Sequence, residues 1–283
     1  MNCTKAIIPV AGYGTRRLPI TKSIEKCMLP IVDRPVIDYV VEDCIKAGIT
    51  DIYFIVSPGS SQLQDYYSRK QDLAAYLRMN NKESLLPLIE PPHGVQFHFI
   101  EQDTSPGAAY GTAIPVWLCR EYIESDEHVL VLMGDDFIFN PDGSSEAARL
   151  IEAAQGHQGS ALLGVEIPRE HVGRYGVIAT RQEGDIQIFD HIQEKPSVAE
   201  AASNVINVSK YIFDYSFLEY LEAAVQQDAN GHEYYITDPI NAYVVDGNDM
   251  QVITAKGQYL DSGTAENWIY ANNVVFEAQK RKA

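Results

Sequence analysis

Apolar residues arrive in short unbroken runs in the first half of this chain. Lys5-Ala-Ile-Ile-Pro-Val10, Asp51-Ile-Tyr-Phe-Ile-Val56 and His128-Val-Leu-Val-Leu-Met133 are too short for helices and too continuously apolar for half-exposed strands. They predict strands buried on both faces. Between the first two, Val36, Ile37, Tyr39, Val40, Cys44 and Ala47 form a broad helical face, with Pro35 at a plausible first position and Gly48 as a stop. Strand, helix and strand joined by crossover-length connections predict parallel pairing.

The alternation continues. Helices are expected at Ser60 to Tyr67, Asp72 to Met79, Gly111 to Tyr122 (where Pro115 is awkward) and Ser144 to Ala154. Strands are expected at Val95 to Ile100 and Ser160 to Glu166, with Asn80 to Gly94 a polar surface excursion. After about Pro168 short strands alternate with turns (Tyr175 to Thr180, Ile186 to Gln193, Val205 to Phe213), and helices return at Tyr215 to Val225, Asp238 to Val245 and Ala265 to Gln279. No internal repeat or interdomain linker appears. The expectation is one α/β domain over 1–283 with a Rossmann-like, mostly parallel mixed sheet flanked by helices. A nucleotide-binding half of about 1–167 is followed by an elaborated C-terminal half, about 168–283, that closes over a site.

Composition narrows the function. Hydrophobic residues make up 46% and charged residues 22% of the 283, which is globular rather than disordered. No run approaches a membrane span, and Met1 to Pro9 lacks the pattern of a signal peptide. Cys3, Cys27, Cys44 and Cys119 fit neither a zinc site nor a disulfide framework, so a reduced, cytoplasmic protein is expected. A net charge of −17 argues against nucleic acid as a partner. Yet Lys5, Arg16, Arg17, Lys22, Lys26 and Arg34 are opposed locally only by Glu25 and Asp33. A small polyanion would be attracted to that segment.

The same segment holds Gly12-Tyr-Gly-Thr-Arg16 directly after a strand. Glycines let a backbone turn sharply and approach a ligand, and successive amides in such a turn can cradle phosphate oxygens. Arg16 can fork two donors to a phosphate and Lys26 can add a compact charge. No Gly-Lys-Ser/Thr ends the loop, and Arg17 stands where a dinucleotide fingerprint has its third glycine. Asp135 and Asp136 end a buried strand, where adjacent carboxylates either cap the next segment or bind a hard cation.

The ordered run Ile8-Pro-Val-Ala-Gly-Tyr-Gly-Thr-Arg16, Leu18-Pro-Ile-Thr-Lys22, Lys26-Cys-Met-Leu-Pro30 and Asp33-Arg-Pro35 resembles the N-terminus of bacterial UTP–glucose-1-phosphate uridylyltransferases, within the wider sugar nucleotidyltransferases. Leu132-Met-Gly-Asp-Asp136, Glu194-Lys-Pro196 and Tyr259-Leu-Asp-Ser-Gly-Thr264 match further motifs in the same order, so the likeness runs from Lys5 to about Ala271. It implies a fold of the nucleotide-diphospho-sugar transferase type. It also implies that Ala11, Gly12, Gly14, Thr15, Arg16 and Lys26 hold the nucleotide phosphates, and that Asp135 and Asp261 bind Mg2+. Gln102 would read the uracil or thymine edge, with Gly111 letting the base pack closely. Gly176, Glu194, Lys195 and Asn204 would meet the sugar phosphate, and Gly231-His-Glu233 with Ile236-Thr-Asp238 matches a further family segment. Arg16, Lys26, Asp135 and Lys195 would be the catalytic set.

The implied reaction joins UTP and glucose 1-phosphate, in a protein that is commonly a homodimer or homotetramer, with no membrane or nucleic-acid partner. Tyr13, Glu25, Cys27 and Ala109 depart from the family pattern. Leu260-Asp-Ser-Gly-Thr264 leans towards thymidylyltransferases, which use dTTP. A catalytically silent sugar-nucleotide-binding paralogue is the remaining alternative.

Overall fold

The computed structural model describes residues 1–157, 159–226 and 233–282. The first half runs β1 (Asn2–Pro9), β2 (Pro30–Ile31), β3 (Arg34–Pro35), α1 (Val36–Lys46), β4 (Asp51–Val56), α2 (Gln62–Tyr66), α3 (Gln71–Met79), β5 (Gln96–Glu101), α4 (Ala113–Leu118), β6 (Glu127–Leu132), β7 (Asp136–Phe139) and α5 (Glu146–His157). The second runs β8 (Ser160–Glu166), β9 (Gly176–Glu183), β10 (Ile186–Glu194), β11 (Val205–Asp214), α6 (Phe217–Gln226), α7 (Thr237–Val245), β12 (Met250–Thr254), β13 (Gln258–Asp261) and α8 (Ala265–Lys282).

Nine of these strands form one sheet in the order β5-β4-β1-β6-β11-β8-β12-β10-β9. The β5-β4-β1-β6 block is parallel throughout, and β8 and β12 are also parallel. Only β11 and β10 run against the rest. Strands from the C-terminal half are interleaved with earlier ones: β11 separates β6 from β8, and β12 separates β8 from β10.

The unbroken apolar runs follow from helices on both faces. Ala6, Ile8, Ile52, Phe54, Val56, Leu130 and Leu132 pack against α1, α5 and α8. Their alternates Ile7, Tyr53, Ile55, Val129 and Val131 pack against α4, α6 and α7. A strand covered on both sides has no polar positions to reveal its period. A third, smaller cluster of Val165, Val172, Val177, Ala201, Ile206 and Val208 seats β9 and its preceding turn.

Two local expectations shift. Pro35 is the N-cap rather than the first helical residue, since its extended backbone (ψ 152°) lies just outside α1. Pro115 falls in the first turn of α4, where an amide hydrogen would have no intrahelical acceptor, so the proline is tolerated. No helix among the described residues is long and apolar enough to cross a membrane. The four cysteines carry no disulfide, and burial pushes the Cys119 thiol up to about 12 and Cys27 higher still.

Candidate active site

In a doubly wound sheet, the loops leaving the carboxyl ends of the strands enclose the ligand crevice. Here the ends of β1, β5 and β6 border a cavity of about 890 Å³. One wall is Val10 to Arg16 with Lys26, another is Gln102 to Thr112, and Gly134-Asp135 forms the floor with Glu233 at the edge.

The glycine loop is braced from behind. Ser57 Oγ donates to the Ala11 carbonyl at 2.7 Å, and Thr21 Oγ1 donates to the Gly14 carbonyl at 2.9 Å. Gly14 has φ +61°, and a Cβ there would lie 3.0 Å from Thr21 Cγ2 and 3.1 Å from Lys26 Cβ. The fold itself therefore demands a glycine at 14. It makes no such demand at Gly12, where φ is ordinary and a Cβ would meet nothing within 4 Å. Gly12→Ala is expected to leave the thermal midpoint within about 2 °C of the parent, because surface changes of this kind cost little. It is also expected to weaken nucleoside triphosphate binding roughly tenfold if phosphate oxygens approach that backbone. Unchanged affinity by titration would show that the open space is not where phosphates sit.

Lys26 Nζ contacts Asp135 Oδ2 directly, across 109 residues of sequence. Asp135 is anchored through its main chain: Ser262 N and Oγ both donate to its carbonyl, at 3.2 and 3.0 Å. Its carboxylate is thus left for chemistry. Gly134 lets this segment lie flat on β1, since a Cβ there would sit 2.4 Å from Val10 Cγ1.

The antiparallel pair β7–β13 places Asp261 opposite Asp136, one residue from Asp135. Asp261 accepts from Gly263 N and from Asn267 Nδ2, each at 2.7 Å. Arg16 reaches the same spot, as a Cβ on Gly263 would lie 3.8 Å from Arg16 Nη2. Asp136 turns away into the core and pairs with buried Lys210, with Tyr259 Oη 3.3 Å from its Oδ2. Burial raises the Asp136 carboxyl to about 6, while Lys210 pulls it back. Of the two adjacent aspartates, then, one faces the cavity and the other is structural.

Gln102 is only 7% exposed, yet its side-chain amide has no hydrogen-bond partner among the described residues and borders the cavity. Its amide is open to the cavity, where a donor and an acceptor are free for a ligand. Gly111 also lines the cavity, but its φ is +113° and a Cβ would stand 2.4 Å from the Tyr234 carbonyl oxygen. That crowding, from a loop pinned by Tyr234 N to Tyr110 O and Ala113 N to Tyr234 O, already requires glycine there.

The other expected sugar-side residues lie on the C-terminal strands. Glu194 pairs with Gly176 across β10–β9, and a Cβ on Gly176 would lie 3.3 Å from Glu194 Oε1. Lys195 is exposed, held at φ +45°, and has no side-chain partner among the described residues. These residues do not border the 890 Å³ cavity. The Tyr235 phenol is raised chiefly by its hydrogen bond to Glu233, with Glu194 a small further contribution, and burial raises Tyr175, with Asp261 adding to it.

Asn204 is already engaged within the fold. Its Nδ2 donates to Glu166 Oε1 at 3.0 Å and to the Ile167 carbonyl at 3.2 Å, while its own carbonyl accepts from Ile167 N. Its amide thus ties the start of β11 to the end of β8, beside which β11 runs. Gly231 and His232 lie outside the described residues; Glu233 lines the cavity. Sequence reading missed Thr21, Ser57, Ser262 and Lys210. Only Lys210, a lysine inside an apolar strand, left a signal that could have found it.

Comparison with known proteins agrees with this geometry. Residues 5–277 match the family model described as nucleotidyl transferase. The chain is 32% identical to the UTP–glucose-1-phosphate uridylyltransferase of Pseudomonas aeruginosa over 278 residues, covering 96% of each. It superposes on a UTP-bound UGPase from Acinetobacter baumannii with TM-score 0.84 at 28% identity, over 97% of this chain and 93% of that one. It also superposes on a UDP-glucose pyrophosphorylase complexed with UDP-glucose, with TM-score 0.79 at 28% identity over 98% and 99% of the two chains.

Proposed function

The chain belongs to the nucleotidyl transferase family, and from that premise we propose that it joins UTP to glucose 1-phosphate, giving UDP-glucose and pyrophosphate. The Lys26–Asp135 contact beneath the glycine loop carries this reading. It sets a cation for phosphate and a carboxylate for a metal side by side on the cavity floor.

A phosphate oxygen of glucose 1-phosphate attacks the α-phosphorus of UTP. The new P–O bond forms as the bond to the β,γ-diphosphate breaks, and pyrophosphate leaves. The nucleophile is an anion near neutral pH, so no general base is required, and the obstacle is repulsion between anions. Alignment and charge neutralisation then supply the rate.

In this assignment the amides of Gly12 and Gly14, with Ala11, Thr15, Arg16 and Lys26, hold the triphosphate, and Gln102 reads the base by pairing one donor and one acceptor with the uracil edge. Lys195 meets the incoming sugar phosphate, Glu194 the sugar hydroxyls and Gly176 the sugar through its backbone. Asp135 and Asp261 fit Mg2+, which takes one or two carboxylates and completes its shell with water and phosphate. No group of three or more His, Cys, Asp or Glu among the described residues could form a fuller cage. A bound Mg2+ would supply charge neutralisation between the reacting phosphates. Four cysteines without a disulfide, three of them buried, suit a cytoplasmic setting.

Pyrophosphate release measured over a matrix of triphosphates and sugar 1-phosphates tests the proposal. UTP with glucose 1-phosphate is expected to exceed dTTP, which adds a 5-methyl group and lacks the 2′-hydroxyl, by at least roughly ten- to a hundredfold in kcat/KM, the scale of one methyl group alone in a fitted pocket. Preference for dTTP would make Leu260-Asp-Ser-Gly-Thr264 the better guide. Tight UTP binding without turnover would leave a silent binding protein.

A further inference from the structure

Tyr13 sits between the two glycines of the phosphate loop, yet its ring belongs to none of the three hydrophobic clusters. It is 65% exposed and lines the cavity. Its Oη lies 2.9 Å from Thr104 Oγ1, on the loop that follows β5. Thr104 is two residues beyond Gln102, so this contact ties the phosphate wall to the opposite wall across the cavity. Two accessible hydroxyls could bond water equally well, so the pair adds little to stability. What it fixes is the position of the ring.

We infer that Tyr13, tethered by Thr104, is a nucleoside-positioning residue whose ring packs against the base of the bound triphosphate. This rests on the reading that the cavity holds a nucleoside triphosphate, with its phosphates on the glycine loop and its base at Gln102. A bridge between residues 13 and 104 then spans the nucleoside. Every base presents a π-face, so stacking adds affinity for nucleotide without choosing the base. The choice stays with Gln102. A sugar 1-phosphate has no such face, and its expected contacts lie on β9 and β10, outside this cavity.

The test is UTP titration of the full chain by calorimetry, alongside steady-state KM for UTP and for glucose 1-phosphate. Tyr13→Ala is expected to raise Kd and KM for UTP roughly tenfold, the scale of one lost base–aromatic stack, with KM for glucose 1-phosphate unmoved. Tyr13→Phe keeps the ring and loses the tether, so a rise of about two- to threefold is expected, matched by Thr104→Val. Should Tyr13→Ala fold poorly, the latter two decide. Wild-type UTP affinity in all variants, or a parallel rise in both KM values, would overturn the assignment. A parent chain that binds UTP but releases no pyrophosphate would instead sink the transferase reading, and the titrations would still judge Tyr13.

Discussion

Asp135→Ala is expected to lower kcat roughly 10²–10³-fold, the scale seen when one charged or hydrogen-bonding contact to a transition state is removed. The fold should survive. The structural duty of this residue falls on its carbonyl, which accepts both Ser262 donors, and alanine keeps that carbonyl. The carboxylate itself is about a third exposed and, among the described residues, touches only Lys26 as an ionic partner. Removing it frees Lys26 to meet phosphate, so KM for UTP should change less than kcat. A loss falling on kcat is the mark of an interaction made chiefly in the transition state. Turnover within a few-fold of the parent at saturating Mg2+ would remove Asp135 from the mechanism.

Lys26→Met gives the companion measurement. Because Lys26 and Asp135 are in contact, their effects should not add, and the double variant should be hardly slower than the worse single one. Additive losses would mean that the two side chains work independently and that their contact is incidental.

Much of this site was legible in the sequence because its first wall is contiguous. Gly12 to Arg16 and Lys26 lie within one short segment after a strand that its own apolar run announces. Asp51 to Val56 and Ser160 to Glu166 appear as strands with the expected bounds, since both are flanked by clear breaks. What was not legible depends on pairing between distant segments. β7, β12 and β13 are short, and alone they carry no period that separates strand from loop. Yet β7–β13 is what sets Asp261 beside the Gly-Asp-Asp corner. The division of labour between Asp135 and Asp136 was equally hidden, because it is decided by which of them finds Lys210. Asn204 was legible as a polar residue before a strand, but not its bonds to Glu166 and Ile167, which come from a strand far back in the chain. Gly111 was legible as a glycine, but the backbone that crowds it comes from Tyr234, far along the chain.

Lys210→Met should be the most destabilising single change considered, by about 3–5 kcal/mol, because it strands a buried carboxylate without its cation. Lys210 and Asp136 have side chains only 5% and 12% exposed, and burial already raises the carboxyl pKa against the pull of the lysine. Lys210 sits on β11, opposite Leu132 at the end of β6, while Asp136 opens β7 and faces Asp261 on β13. The pair therefore joins the central sheet to the small sheet that carries Asp261. By the usual scaling for a chain near this size, the thermal midpoint should fall roughly 10 °C. Lys210→Met combined with Asp136→Leu removes both charges at similar volume, and such replacements are often neutral or better. The double variant should then recover most of the lost stability. A midpoint within about 2 °C of the parent for Lys210→Met alone would mean that Asp136 takes up a proton or finds water at little cost, and that packing on Tyr259 and Phe137, not the ion pair, holds the small sheet in place.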